Sequence, residues 1–166
     1  MTGGRGCPEA RGGPAHGASL VRLRPASESD YDRVASLLGA AGLPLAGVPR
    51  DLAGFEVAER DGRLVGAIAL ERYGDEGLLR SAVVDPAERG GGIGAALVDR
   101  MLDVARERRL RAIYLLTTTA EQWFPRFGFG RVERADVPDA VRASLEFREA
   151  CPASAVVMRR WVSTVA

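Results

Sequence analysis

The chain has 166 residues, of which 46% are hydrophobic and 27% charged, and its formal net charge is +1. This length is typical of one domain, and the apolar content excludes a chain that is disordered throughout. No apolar run approaches the ~20 residues of a membrane span, and the N-terminus lacks the apolar stretch of a secretory signal. We therefore expect a cytoplasmic protein without membrane partners. The nearly balanced charge gives no general attraction to nucleic acid.

Residues 1–18 contain glycine, proline and scattered arginine without apolar periodicity, which predicts a disordered, glycine-rich tail. Residues 19–162 are predicted to form the folded domain. The two cysteines, Cys7 and Cys151, and the one histidine, His16, are too few for a structural zinc site. We expect no bound metal.

Apolar patterns predict strands at 20–24, 55–60, 63–72, 77–84, 111–117, 130–134 and 154–160. Helices are predicted from Ser27 to Gly39, over 94–109, near 119–126 and over 138–148. Ser27 and Asp30 fit a capping pair, and Gly39 suits the left-handed end of the first helix. Asp136 is predicted to cap the last helix, with Pro138 in its first turn. Strands mixed with helices in one short chain predict a single-domain α/β fold.

A glycine-rich loop lies between a strand and the amphipathic helix predicted over 94–109. Its sequence is Arg89-Gly90-Gly91-Gly92-Ile93-Gly94-Ala95. Small residues let the backbone approach a ligand closely, and a helix N-terminus favours an anion, so we predict a pyrophosphate site. A Rossmann dinucleotide site would also use such glycines, but five residues separate Val84 from Gly90, whereas that fingerprint turns directly after its strand. A Walker-type loop fails because the Gly-Lys-Ser/Thr run is absent.

The loop resembles the acetyl-CoA motif (R/Q)-x-x-G-x-(G/A) of the GNAT superfamily of N-acetyltransferases. The runs Val83-Val84-Asp85-Pro86, Trp123-Phe124 and Gly128-Phe129 are also similar, and the resemblance covers residues 20–160. It implies a GNAT-type fold, in which helices flank a central mixed, mostly antiparallel sheet. It also implies acetyl-CoA as cosubstrate, held by the strand backbone at Val83 and Val84 and by the loop from Arg89 to Ala95.

Within the superfamily, three further runs resemble the arsenic-resistance N-acetyltransferase group. They are Leu78-Leu79-Arg80-Ser81, Tyr114-Leu115-Leu116-Thr117-Thr118-Thr119-Ala120 and Cys151-Pro152-Ala153-Ser154-Ala155. Short bacterial N-acetylglutamate synthases are similar over the same core. The resemblance also places Leu43 and the helix over 138–148 where the superfamily shapes its acceptor pocket.

Two positions depart from the superfamily pattern. Many members have a tyrosine at the position of Phe124 as the acid that returns a proton to CoA, and phenylalanine has no proton to donate. A frequent asparagine is replaced by Thr117. We predict that the hydroxyl of Ser81 or Thr117 takes over the acid's role, and that Thr118 hydrogen-bonds a small polar acceptor.

The strands at 63–72 and 77–84 are predicted to pair antiparallel, which places one acid and one arginine among small side chains. The expected pairs are Ala67 with Ala82, Ala69 with Arg80, and Glu71 with Leu78. The opposite face is predicted to be core and contains Ile68, Leu70, Leu79 and Val83. On the first face, Glu71 is either a water-mediated base or the ion-pair partner of Arg80. Arg80 itself is predicted to anchor an anionic group of the acceptor through its forked guanidinium.

These features lead to one main functional hypothesis and two alternatives. The main hypothesis is direct acetyl transfer to the primary amine of a small acidic amino-acid-like molecule, which the resemblance suggests is an arsenic-containing antimetabolite. Direct transfer is favoured because neither cysteine lies in a nucleophile motif. The alternatives are an amino-acid acetyltransferase like N-acetylglutamate synthase, and an acyl-CoA-binding module without catalysis. The sequence leaves open whether the protein forms a homodimer.

Overall fold

The computed structural model describes residues 19–150 and 152–163, so the predicted tail with His16, and Cys151, lie outside the described residues. The described strands are β1 (Arg22–Pro25), β2 (Phe55–Arg60), β3 (Arg63–Tyr73), β4 (Glu76–Val84), β5 (Ala112–Thr117), β6 (Gly130–Val132) and β7 (Val156–Trp161). The helices are α1 (Tyr31–Ala40), α2 (Ile93–Glu107) and α3 (Asp139–Arg142). Short 3-10 turns lie at Glu28–Asp30, Pro86–Glu88, Phe124–Phe127 and Arg134–Asp136, and a π turn lies at Glu146–Ala150.

Within this described part, seven strands form one sheet in the order β1-β2-β3-β4-β5-β7-β6. Neighbouring strands pair antiparallel except β4 and β5, which are parallel. Helix α2 packs on one face of the sheet through residues such as Leu97 and Met101. Helix α1 packs on the other face through Val34 and Leu38, and α3 packs beside it through Val141. This mixed, mostly antiparallel sheet between helices is the predicted fold.

Both ends of α1 are fixed by local hydrogen bonds. At the start of the 3-10 turn that leads into α1, the backbone N–H of Ser27 donates to Asp30 Oδ2 at 2.9 Å, as the predicted capping pair requires. At its end the prediction was wrong, because Gly39 lies within the helix and Gly42 has the left-handed backbone, with φ +69°. The N–H of Leu43 donates to the carbonyl of Leu38 at 2.9 Å, and that of Gly42 to Gly39 at 3.1 Å. This is a Schellman ending, which needs the left-handed residue after the last turn.

The last predicted helix is interrupted. Helix α3 covers only Asp139–Arg142, and the π turn follows it. Pro138, with extended backbone, occupies the N-cap position, so the prediction that Asp136 caps this helix was wrong. The interruption coincides with Ser144, whose hydroxyl accepts the N–H of Phe147 at 3.3 Å. A side-chain acceptor of this kind competes with the helical backbone pattern.

The short helix predicted near 119–126 is also replaced by turns. Only Phe124–Phe127 forms a 3-10 turn. Before it, Thr117 Oγ1 accepts the N–H of Ala120 at 2.9 Å. Pro125 has no N–H for a helical hydrogen bond. The segment after β5 therefore forms a compact loop that places Trp123 and Phe124 against the sheet.

Candidate active site

A cleft opens where β4 and β5 separate. The two strands pair from Glu76 with Ala112 to Leu78 with Tyr114, and no further pair between them follows. The backbone of β4 beyond Leu78 therefore has N–H and C=O groups that β5 does not bond. A cavity of about 810 Å³ lies in this region, extending from the α1–β2 loop to the N-terminus of α2.

A β-bulge in β4 forms part of the cleft wall. Ala69 pairs with Arg80 and Glu71 with Leu78, as predicted, but Ala67 pairs with Val83 and not with Ala82. The extra residue lies beside Ser81, whose φ of +55° is unusual for a residue with a side chain. One additional residue reverses the alternation of faces beyond it.

Val83 consequently lies on the other face from the one predicted. It packs in the α1 cluster with Ala67 and Ala69. Ile68, Leu70 and Leu79 do belong to the core, as predicted, and they pack in one cluster with residues of α2. The bulge thus turns the end of β4 and leaves Ser81 half-buried at the cleft.

The glycine loop leads directly into α2. Gly90 and Gly92 have left-handed φ values of +85° and +83°, and Gly92 is the N-cap of the helix. A Cβ at either position would meet no atom within 4 Å, so open space lies beside both residues. The N–H groups of the first helical turn have no partner within the helix, and the helix dipole adds positive potential there. An open cradle with free donors fits the pyrophosphate of CoA.

Most of the predicted cofactor residues border the cleft. They are Val83, Val84, Arg89, Gly90, Gly92, Ile93, Gly94 and Ala95. Gly91 is not among the lining residues. Two ion pairs hold this loop against the β2–β3 hairpin: Arg60 contacts Glu88, and Arg63 Nη2 lies 3.6 Å from Asp85 Oδ2. The side chain of Asp85 also accepts the N–H of Ala87 at 2.9 Å.

Arg80 is the best-connected side chain at the other end of the cleft. Its side chain is 1% exposed. Nη1 donates to Glu71 Oε1 at 2.9 Å, and Nη2 donates to the carbonyl of Ala46 at 2.7 Å. Nε donates to Ser81 Oγ at 3.3 Å, and Nη2 lies 3.4 Å from Glu146 Oε2. Arg80 thus connects the α1–β2 loop, β3 and the π turn, and it borders the cavity.

Glu71 has the contacts of an ion-pair partner. Besides Arg80, it accepts a hydrogen bond from the Tyr73 hydroxyl at 2.5 Å. Burial, and then this bond to Glu71, raise the pKa of Tyr73 to about 12. The tyrosine therefore remains a donor at neutral pH. Glu71 is not among the residues that line the cleft. Of the two predicted roles, these contacts favour the ion pair, and the role of water-mediated base stays a prediction.

Phe124 lines the cleft but has no proton to give. It is buried and packs edge-on against Trp123, with ring centres 5.0 Å apart. The predicted hydroxyl-bearing residues Ser81, Thr117 and Thr118 line the same cavity, as does the predicted acceptor-pocket residue Leu43. Thr117 Oγ1 accepts N–H groups of the following loop, which leaves its own proton available for donation.

The sequence did not point to Glu146 as a site residue. This carboxylate is buried, lines the cleft and contacts Arg80. Trp123, which was interpreted as core, is half-buried and lines the cleft as well, against Gly94. The Trp123-Phe124 run, which resembles the superfamily, was the available signal for Trp123. No local pattern marks Glu146.

Residues 25–147 match the acetyltransferase (GNAT) family. The chain belongs to this family. Membership confirms the predicted fold and an acetyltransferase domain that uses acetyl-CoA. None of the helices within 19–150 and 152–163 has the length and apolar character needed to cross a membrane. The same ranges contain no cluster of three or more Asp, Glu, His or Cys residues that is suited to a metal ion.

Curated relatives are named amino-acid acetyltransferases. One from Mycobacterium tuberculosis is 44% identical over 87 residues, which are 50% of this chain and 49% of that protein. One from Photobacterium profundum is 33% identical over 96 residues, which are 57% of this chain and 22% of that protein. The chain thus spans about half or less of the length of these relatives. They lend no support to the finer arsenic-resistance resemblance, which stays a prediction.

Solved structures have the same fold. Rv2747 from Mycobacterium tuberculosis, in complex with CoA and a second ligand, has a TM-score of 0.74 at 28% identity, and the match covers 86% of this chain and 99% of that one. N-acetylglutamate synthase from Neisseria gonorrhoeae, complexed with CoA and N-acetyl-glutamate, has a TM-score of 0.75 at 24% identity, covering 89% and 36%.

Proposed function

We propose that this chain transfers the acetyl group of acetyl-CoA directly to the amine of an amino acid, with L-glutamate as the first acceptor to test. The observation that carries the proposal is the pairing of two different sites along one cleft. The glycine cradle at α2 suits a pyrophosphate, and the buried Arg80 at the opposite end suits a carboxylate. The names of the curated relatives support the same class of acceptor.

Acetyl-CoA supplies a thioester, whose carbonyl carbon the neutral amine attacks while the C–S bond breaks and CoA leaves as a thiolate. The acceptor amine loses one proton and the thiolate gains one. In our proposal, water in the cleft takes the first proton, and the hydroxyl of Ser81 or Thr117 returns the second in place of the tyrosine that Phe124 replaces. Arg80 orients the acceptor, and Glu71 holds Arg80 in place.

We propose both a broad class of acceptor and a narrower one within it. A carboxylate-bearing amino acid follows from Arg80 and from the relatives, and an arsenic-containing analogue is a narrower expectation from the sequence alone. Homodimer formation, a cytoplasmic location and the lack of nucleic-acid or membrane partners also stay predictions.

A CoA-release assay with a panel of amines tests the proposed function. We expect turnover with L-glutamate or a related amino acid, and the panel includes an arsenic-containing analogue, a peptide and an aminoglycoside. Turnover with the peptide or the aminoglycoside alone would contradict the acceptor class. Binding of acetyl-CoA without CoA release from any amine would favour the non-catalytic module.

A further inference from the structure

Arg80 is already neutralised twice over by carboxylates of the protein. Glu71 lies 2.9 Å from Nη1, and Glu146 lies 3.4 Å from Nη2. Arg80 and Glu146 are shielded from water, with side-chain exposures of 1% and 9%, whereas Glu71 is 24% exposed. A third carboxylate, brought by an acceptor, would add an uncompensated negative charge in a poorly hydrated place. Such a charge is costly, so one carboxylate must leave when the acceptor arrives.

Glu71 is fixed in the sheet, away from the acceptor's path. It bonds both Arg80 and the Tyr73 hydroxyl, and it belongs to β3, which pairs with a strand on each side. Glu71 also does not border the cleft. An acceptor in the cleft therefore approaches Arg80 from a side that Glu71 does not occupy.

Glu146 stands on the acceptor's path, in a turn outside the sheet. Its contact with Arg80 is the longest of the contacts that this guanidinium makes. It belongs to the π turn that follows the four-residue helix α3, and it borders the cleft together with Arg80 and Ser81. Moving this turn breaks no strand pairing of the sheet.

We propose that Glu146 is a specificity-determining residue that occupies the acceptor-carboxylate position on Arg80 and is displaced when the acceptor binds. This inference rests on the proposed function. Glu146 then lowers the apparent affinity for every acceptor carboxylate, because each must first compete with it. An amine without that carboxylate leaves the Arg80–Glu146 contact in place and does not compete.

The test compares Glu146→Gln with Glu149→Gln, which removes the same charge from an exposed position of the same turn. The acceptors are L-glutamate, its γ-amide glutamine and its α-amide isoglutamine. We expect Glu146→Gln to lower the KM for glutamate by about tenfold, since hydrogen bonds to charged groups are being exchanged. Glutamine lacks the γ-carboxylate, and isoglutamine lacks the α-carboxylate. The KM should not fall for the one of these two amides that lacks the carboxylate bound by Arg80. The amide whose KM does not fall therefore shows which carboxylate Arg80 binds. Neither kcat nor the KM for acetyl-CoA should change.

Several results would overturn the inference. An unchanged or raised KM for glutamate excludes competition by Glu146, and an equal fall with both amides excludes a specific exchange. The same fall in Glu149→Gln assigns the effect to general charge. A reduced kcat of Glu146→Gln at an unchanged KM for glutamate would indicate that Glu146 takes part in proton transfer instead.

Measuring CoA release by the wild-type enzyme distinguishes failure of the Glu146 inference from failure of the proposed function. Absence of CoA release with every amino acid refutes the proposed function, and the inference falls with it. If the wild type is active, only the variants decide. Should Glu146→Gln unfold, Glu146→Asp keeps the charge but shortens the side chain, and the KM for glutamate should again fall; a rise would refute the exchange.

Discussion

The end of the cleft at α2 offers a ligand backbone N–H groups from one continuous segment, whereas the end at Arg80 offers side chains from separate segments of the chain. To present its N–H groups, the glycine loop needs only its own backbone conformation and the start of a long helix. The left-handed residues Gly90 and Gly92 set that conformation. Arg80 depends on Ala46, Glu71 and Glu146, which three different elements supply. A substitution in the glycine loop should therefore weaken the binding of acetyl-CoA alone. A substitution at the Arg80 end should also disturb the residues that contact the substituted one.

The largest expected effect is at the cofactor end. Gly92→Asp places a carboxylate in the open space where we place the pyrophosphate, so acetyl-CoA binding should be lost. Acetyl-CoA at a hundred times its dissociation constant should stabilise the wild type by ~2.7 kcal/mol, and a thermal-shift titration should show no such gain in the variant. Gly92→Asn is the matched control, because it tolerates the same left-handed backbone without the charge. A folded Gly92→Asp protein that binds acetyl-CoA normally would mean that the cradle lies elsewhere.

Arg80→Leu should weaken binding of the acceptor without affecting binding of acetyl-CoA. We expect the acceptor KM to rise about tenfold to a hundredfold, from the loss of ~1.5–3 kcal/mol of charged hydrogen bonding, with the KM for acetyl-CoA unchanged. Since this change also leaves Glu71 and Glu146 without their cation, the unfolding temperature is measured in parallel. Arg80→Lys keeps the charge but not the forked geometry, and should raise the same KM less. Equal rises in both KM values would show that the two ends are not separate.

The double variant Ser81→Ala with Thr117→Ala tests the region between the two ends. If one of these hydroxyls returns the proton to CoA, kcat should fall by about tenfold or more, with little change in either KM. Thr118→Ser is a mild control on the same cavity wall. An unaltered kcat in the double variant would remove both residues from the mechanism.

Glu71→Gln separates positioning from proton transfer. As a partner of Arg80, Glu71 should affect the acceptor KM by only a few-fold, because the amide oxygen of glutamine still accepts from Arg80 while its NH2 group donates to the Tyr73 hydroxyl. The dependence of kcat on pH should keep its shape. A kcat that falls most at low pH, where the acceptor amine is protonated, would instead assign Glu71 the role of water-mediated base.

Asp30→Asn should leave both ends of the cleft intact. Hydrogen bonds from Arg24 hold the pKa of the buried Asp30 well below its usual value. A depressed pKa in the folded state means that the ionised form stabilises the fold above the unfolded pKa of about 3.9. Denaturant unfolding at neutral pH should show a loss of ~1.5–3 kcal/mol in the variant. The difference should shrink as the pH falls below that value, and an unchanged difference in acid would contradict the assignment.

The strand and the helix on either side of the glycine loop could be predicted from the sequence because these elements are local. The glycine run, the strand before it and the amphipathic helix after it are contiguous, and contiguous patterns determine their own backbone. The register of Ala69 with Arg80 also followed from simple alternation. The face of Val83 did not, since the bulge beside Ser81 uses a non-glycine residue in a left-handed conformation and leaves no mark in the composition.

Glu146 shows why the acceptor end was harder to predict. It is placed by the interruption after α3 and by packing of the π turn over Arg80, and both depend on tertiary contacts. The helical pattern over 138–148 predicted an uninterrupted helix, in which this residue had no distinguishing feature. The Arg80–Glu71 pair could be predicted because two adjacent strands bring those residues together.

The most direct test of the two-ended cleft is a crystal structure of the protein with CoA and the N-acetylated form of its preferred amino acid. We expect the pyrophosphate against the N–H groups of the glycine loop, the CoA sulfur between the separated ends of β4 and β5, and a carboxylate of the product on Arg80. A product carboxylate bound away from Arg80, with the guanidinium still held by Glu71 and Glu146, would contradict the assignment of the acceptor end.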